Sequence, residues 1–304
     1  MTTFGFIGLG DIGAPMAERI VDAGLELVVC NRTSAKAQPF AAKGAGVAAT
    51  PAEVGDRADV VFLCLDGPEA IEEVVFGAAG LAQGDRVRVV GDSSTTHPQI
   101  TRSFAERLKA QTGKSWIDCP VSGAASGARA GTLATFVGGD AEALELARPA
   151  LSAFSRQITH MGPVGAGQVT KICNQILSFG ARFAIGEALN LMRRCGVDSD
   201  LMPQAMAGGL ADSSMLQEYG RTNGPDGGVG LGQQINAIAD LYDGRIDPRL
   251  AGALKIGVKD TGIAIDLGAA TGSALPVMSA AANMLRILHY QGSTPPAQER
   301  VPPA

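Results

Sequence analysis

Short apolar runs at Phe4–Ile7, Leu27–Cys30, Val60–Leu65 and Val87–Val90 punctuate the first third of the chain. Between and after them lie stretches with apolar residues at helical spacing: Ala14–Ala23, Ala35–Lys43, Glu69–Val75 and Gln99–Ala110. Strand and helix patterns alternating at this interval predict parallel strands joined by helical crossovers. Gly24 is placed to stop the first helix. Further strands are predicted at Trp116-Ile117-Asp118, Leu133–Val137 and Gln157–His160, with a helix over Ala141–Phe154 that Asp140 is placed to cap. Residues 1–162 therefore read as one open α/β domain.

The pattern then changes. Gln168 to Arg194 contains no proline, and Ile172, Ile176, Phe179, Phe183 and Ile185 recur at near-helical spacing. This predicts a single helix about 40 Å long at about 1.5 Å per residue, enough to leave the first domain and begin a second. The second domain spans 163–292, with 163–194 as the linking segment. Helices are expected at Leu201–Met206, Leu231–Asp243, Leu250–Gly268 and Pro276–Leu288, with a glycine-rich loop at Gly220–Gly230. The proline-rich tail, 293–304, is expected to be disordered. No internal repeat is present.

Composition narrows the function classes. With 46% hydrophobic and 18% charged residues the chain carries enough apolar material for packed cores, which excludes disorder throughout. A net charge of −5 gives no basic footprint for nucleic acid or an anionic membrane. The apolar runs are too short to span a bilayer, and no signal-peptide pattern is visible. The five cysteines (Cys30, Cys64, Cys119, Cys173, Cys195) are scattered, without a C-x-x-C pair, so no disulfide framework or zinc site is expected. A reducing cytoplasmic setting follows.

The candidate chemistry begins at Gly8-Leu9-Gly10-Asp11-Ile12-Gly13, a G-x-G-x-x-G that follows a strand and opens a helix. Gly8 permits the tight turn, Gly10 lets the backbone approach a pyrophosphate, and Gly13 lets helix and strand pack closely. The N–H groups of the helix start face the phosphates. The alternative is a tight turn without a ligand. At the end of the second strand, where an NAD site usually carries Asp or Glu, this chain has Asn31-Arg32-Thr33. Arg32 can pair with a 2′-phosphate that a carboxylate would repel. The expected cofactor is therefore NADP(H), with NAD as the second choice, and the alternative for Arg32 is a surface residue at a helix start. Leu65, closing the third apolar run, is a further candidate cofactor contact.

Four blocks resemble the β-hydroxyacid dehydrogenase family, which includes 3-hydroxyisobutyrate dehydrogenases and tartronate semialdehyde reductases. They are Gly5 to Ala17; Asp118-Cys119-Pro120-Val121-Ser122-Gly123 continuing to Gly131-Thr132-Leu133; Gly165 to Gln175; and Lys259-Asp260. The resemblance implies a Rossmann-like, doubly wound parallel-sheet domain, an all-helical C-terminal domain, and a site between them for a short β-hydroxy acid or its semialdehyde. It also implies a homodimer or homotetramer.

Residue by residue, the resemblance makes Lys171 the general acid/base. A lysine can serve if burial lowers its pKa; the alternative is a snorkelling lysine. Asn174 and Gln175 lie three and four residues on, able to share its helix face. The family normally has asparagine where Gln175 stands, so the longer side chain alters the reach to substrate; the alternative is that either amide satisfies nearby backbone. Ser122 and Gly123 match the substrate-anchoring turn, or an ordinary strand-end turn. Alanine at 124, where a second glycine is usual, is expected to alter that turn. Thr95 matches a threonine near the nicotinamide, and could equally cap the helix after His97-Pro98. Lys259 matches a lysine that reaches cofactor and substrate; its alternative is a solvated helix charge.

His97, His160 and His289 have no metal-ligand spacing and read as structural or surface residues. No metal site is expected. The competing readings are an imine reductase, against which the intact Lys171 block argues, and a non-catalytic dinucleotide-binding protein, against which the presence of Lys171 argues.

Overall fold

The structure is a computed structural model that describes residues 1–223, 230–246 and 254–292. The tail 293–304, residues 224–229 of the glycine-rich stretch and residues 250–253 of one expected helix lie outside the described residues. The chain divides into two compact units, Met1–Lys171 and Ile172–Ala304.

The first unit contains strands β1 (Phe4–Ile7), β2 (Leu27–Cys30), β3 (Gly46–Val47), β4 (Val60–Leu63), β5 (Val89–Asp92), β6 (Ser115–Asp118), β7 (Val121–Ser122), β8 (Leu133–Gly138) and β9 (Ser155–Gly162). They form one sheet in the order β3-β2-β1-β4-β5-β6-β8-β7, with β9 pairing β8. Pairs from β3 to β6 are parallel, with Phe4 opposite both Leu27 and Val60. β8 runs antiparallel to β6 and β7. Only residues 123–132 join β7 to β8, shorter than the dozen or so residues a parallel crossover requires.

Seven α-helices flank this sheet in sequence: α1 (Gly13–Asp22), α2 (Gln38–Ala42), α3 (Pro51–Arg57), α4 (Pro68–Phe76), α5 (Pro98–Thr112), α6 (Ala124–Ala130) and α7 (Ala141–Phe154). Strand alternation sorts two cores. Phe4, Phe6 and Phe62 pack with Met16, Ile20 and Phe154, while Ile7, Val61 and Leu63 pack with Ile71, Leu81 and Trp116. Strands buried on both faces are why the apolar runs are continuous. Asp140 precedes α7 as expected, but its side chain makes no cap hydrogen bond.

Helix α8 (Ala166–Arg194) carries the chain from one unit into the next. The second unit continues with α9 (Met202–Met206), α10 (Ser214–Thr222), α11 (Leu231–Leu241), α12 (Lys255–Thr271) and α13 (Pro276–Gly292). Ser213 starts α10 by accepting from the Leu216 N–H at 3.2 Å, so residues 220–222 are helix rather than loop. Phe179, Phe183, Ile238, Met278 and Leu285 share one core; Leu189, Met202, Leu216, Tyr219 and Ile235 share another. Gly186 brings α8 against α11, where an added Cβ would lie 2.6 Å from Ile238 Cγ2.

Candidate active site

The turn after β1 is locked by its glycines. Gly8 holds φ +102°, and a Cβ there would overlap the Cys64 carbonyl oxygen. A Cβ on Gly13 would overlap the Gly8 carbonyl oxygen. These two glycines are thus demanded by the protein itself. Gly10 differs: it is exposed, and a Cβ there meets no described atom within 4 Å. The space that Gly10 keeps clear lies outside the protein. Beside it, α1 begins with no side-chain cap and no acidic residue in its first turn. Such a helix start keeps its partial positive charge for an anion. Turn and helix start therefore fit a pyrophosphate, with Asp11 exposed and Ile12 half-buried in the turn.

Asn31 fixes this turn to the end of β2. Its Oδ1 accepts from the Leu9 N–H at 2.8 Å, and its Nδ2 donates to the Thr33 carbonyl at 3.0 Å. Arg32 and Thr33 follow, both exposed. At the end of β4, the Leu65 N–H donates to Ser94 Oγ at 2.9 Å, so the two candidate cofactor loops are tied together.

A buried polar network at the ends of β5 and β6 holds the start of α8. Asp118, fully buried, accepts from the Gly165 N–H at 2.7 Å and the Gln168 N–H at 2.8 Å. Its carboxylate caps the first turn of α8 from 47 and 50 residues away. Burial pushes the Asp118 carboxyl up from its ordinary value, and the N–H donors of Gly165 and Gln168 pull it back. A Cβ on Gly138 would lie 2.5 Å from Asp118 Oδ1, so the fit admits no larger residue. Gln168 in turn donates to the Ser94 carbonyl at 2.8 Å and accepts from the Thr96 N–H at 3.2 Å. Asp118 and Gln168 stand within the blocks named above, where neither carried an expected role. Their signal was polarity at a strand end and at a helix start otherwise committed to burial.

One turn after Gln168 comes Lys171, 8% exposed. Thr95 is half-buried between Ser94 and Thr96. It does not cap α5; His97 does, its Nδ1 accepting from the Gln99 N–H at 3.2 Å. Ser122 is half-buried on β7 opposite Ala134, and Gly123 follows at φ +133°. Ala124 sits at φ +56°, the left-handed region. Alanine thus takes the backbone conformation that a glycine would adopt freely, storing about 1 kcal/mol of strain.

In the second unit, Gln175 is committed at both ends of its amide. Its Nε2 donates to Asp260 Oδ2 at 2.6 Å, and its Oε1 accepts from Asn174 Nδ2 at 3.0 Å. Lys259 Nζ lies 3.9 Å from Asp260 Oδ1. Burial lowers the Arg182 guanidinium, and Asp260 partly offsets this. Among the described residues no group of His, Cys, Asp and Glu could hold a metal ion, and no helix is long and apolar enough to cross a membrane.

Residues 3–162 match the model of the NAD binding domain of 6-phosphogluconate dehydrogenase. Residues 165–227 match that described as NAD-binding of NADP-dependent 3-hydroxyisobutyrate dehydrogenase. The chain is 33% identical over 96% of its length, and 94% of the relative's, to the NAD-dependent L-serine dehydrogenase of Pseudomonas aeruginosa. It is 37% identical to the 3-hydroxyisobutyrate dehydrogenase of the same organism, over 69% of this chain and 72% of that one. Among solved structures, 3-hydroxyisobutyrate dehydrogenase from Mycobacterium tuberculosis with L-serine is similar at TM-score 0.78 and 29% identity, covering 96% of this chain and 95% of that chain.

Proposed function

The chain belongs to the β-hydroxyacid dehydrogenase family of NAD(P)-dependent oxidoreductases, and from that premise we propose that it interconverts a short β-hydroxy acid and its semialdehyde with NADP(H), Lys171 exchanging the proton. The Gly8–Gly13 turn would hold the pyrophosphate of a nicotinamide dinucleotide, which when bound would supply or take the hydride. In reduction, the Lys171 ammonium gives its proton to the carbonyl oxygen as the carbon is reduced; in oxidation, the neutral amine removes the hydroxyl proton. The Ser122 hydroxyl and the Gly123 backbone N–H suit the substrate carboxylate. The family resemblance alone assigns Asn174, Gln175 and Lys259 to the same substrate. Arg32, Thr33 and the absence of an acid beside them support NADP(H), although the serine dehydrogenase relative is named NAD-dependent.

The observation that carries this reading is a lysine almost removed from water in the first turns of a helix whose start is fixed by a buried carboxylate. Such a group is held in place and shielded from water, which suits proton exchange with a bound substrate. Lys171→Ala is expected to retain NADPH affinity within about threefold and lose about 10²–10⁴ in kcat. Fluorescence titration and steady-state assays over a panel of hydroxy acids and semialdehydes check this; turnover equal to the parent refutes the role. Assembly as a homodimer or homotetramer in the cytosol completes the proposal. The family resemblance is the ground for assembly, and five free thiols support a reducing compartment.

A further inference from the structure

We propose that Gln168 is a positioning residue that sets the spacing between Thr95 and Lys171, an inference that rests on the hydride-transfer reading above. Its carboxamide straddles Thr95: Nε2 donates to the carbonyl of Ser94 at 2.8 Å, and Oε1 accepts from the N–H of Thr96 at 3.2 Å. These are the backbone groups immediately before and after Thr95. A primary amide can satisfy both because it offers a donor and an acceptor in one plane, as a neighbouring strand would. Gln168, Ser94 and Thr96 are all buried, so water does not compete.

Both ends of the clamp are themselves held. On the helix side, the Gln168 N–H is fixed by Asp118 Oδ2 at 2.8 Å, and Lys171 follows three residues later on the same face of α8. On the loop side, the Ser94 N–H donates to Asp92 Oδ1 at 2.9 Å, the Thr96 hydroxyl meets the Thr101 hydroxyl at 2.8 Å, and Ser94 Oγ accepts from Leu65 at 2.9 Å. Every partner lies within Met1–Lys171. The Thr95 loop leaves the carboxyl end of β5, the end of a parallel sheet at which ligands bind. Gln168 thus joins a loop at the ligand end of the sheet to the turn that carries the proton-exchanging lysine. Glutamate keeps the reach but loses the donor. Methionine keeps the bulk and loses both partners.

Gln168→Glu and Gln168→Met in the full chain test this. A misplacement of about 1 Å costs about 10²-fold in rate, so kcat should fall about 10- to 100-fold in both variants. NADPH affinity should stay within about threefold. With nicotinamide-4-deuterated NADPH the isotope effect on kcat should rise, because a misplaced acid slows the chemical step. Hydrogen exchange of the peptide holding residues 94–96 should accelerate. A folded Gln168→Met with parental kcat and isotope effect overturns the inference, including when its melting temperature drops, since that marks a merely structural clamp. If Gln168→Met does not fold, Gln168→Glu decides on the same readouts. A parent enzyme inactive on every hydroxy acid and semialdehyde with either cofactor overturns the hydride-transfer reading, and this inference falls with it.

Discussion

Two polar clusters, one in each unit, are wired differently. In the sheet unit, polar side chains of the candidate site end on backbone: Asn31 on Leu9, Asp118 on Gly165 and Gln168, Gln168 on Ser94 and Thr96. Backbone partners cannot be mutated away, and the glycines beside them, Gly8, Gly13 and Gly138, admit no Cβ. In the helical unit, the clusters around Gln175 and Asn236 join side chain to side chain: Asn174 to Gln175, Gln175 to Asp260, Arg193 and Tyr219 to Asn236. Such pairs can be exchanged two residues at a time with little backbone movement. The sheet-unit cluster is therefore tied to one backbone geometry, and the helical-unit clusters are the ones that paired exchange can vary. Glutamine at 175, in place of the family's usual asparagine, lies on the variable side of that division.

The largest expected effect tests the glycine lock. Gly13→Ala should cost about 3 kcal/mol of stability and abolish cofactor binding, because its methyl group meets the Gly8 carbonyl. Gly10→Ala should leave the melting temperature nearly unchanged and weaken NADPH. Thermal melts and cofactor titration of the pair separate packing from ligand contact; equal destabilisation by both would erase the distinction. Next, Arg32→Asp should weaken NADPH relative to NADH by about 10- to 100-fold, equivalent to about 1.5–3 kcal/mol from a lost charged contact. Dissociation constants for both cofactors check it, and an unchanged ratio removes Arg32 from 2′-phosphate recognition.

Smaller effects are expected at Gln175 and Ala124. Gln175→Asn withdraws the donor from Asp260. It should lower stability by about 1 to about 2 kcal/mol while changing the ranking of substrates by KM. A substrate profile identical to the parent would show that the longer amide has no bearing on selection. Smallest of all is Ala124→Gly, because glycine occupies φ +56° without strain. It should raise stability by about 0.5 to about 1 kcal/mol. Chemical denaturation measures this, and a loss of stability would contradict the strained turn.

Much of the sheet unit was legible in the residues. Phe4–Ile7 followed by the glycine turn defines β1 and α1, and the Ala141–Phe154 helix has the bounds its pattern predicts. Other elements carry little or no periodic signal: β3 and β7 are two residues long, and α6 is a run of Ala, Gly, Ser and Arg. The signal for α3 lies in its cap. Thr50 Oγ1 accepts from the Glu53 N–H at 3.2 Å while Glu53 reaches back to the Ala49 N–H at 2.8 Å. This is a variant of the capping box, written in the sequence as Thr-Pro-Ala-Glu. The candidate site was legible as residue types, because Lys171 and the glycines stand in recognisable blocks. Its wiring was not. Gln168 and Ser94 are 74 residues apart, and Gln175 and Asp260 are 85 apart, so only folding brings each pair together.

The carboxylate of Asp118 has a bearing on biosynthesis. When the ribosome has released β6, that side chain must stay hydrated, since its two N–H donors are in residues 165 and 168. A fragment ended after β9 would therefore leave that carboxylate to water in place of the Gly165 and Gln168 donors, and the end of β6 would lose its anchor to the following helix. The first unit is complete only once the first turns of the following helix emerge, so Lys171 arrives with the segment that finishes the fold.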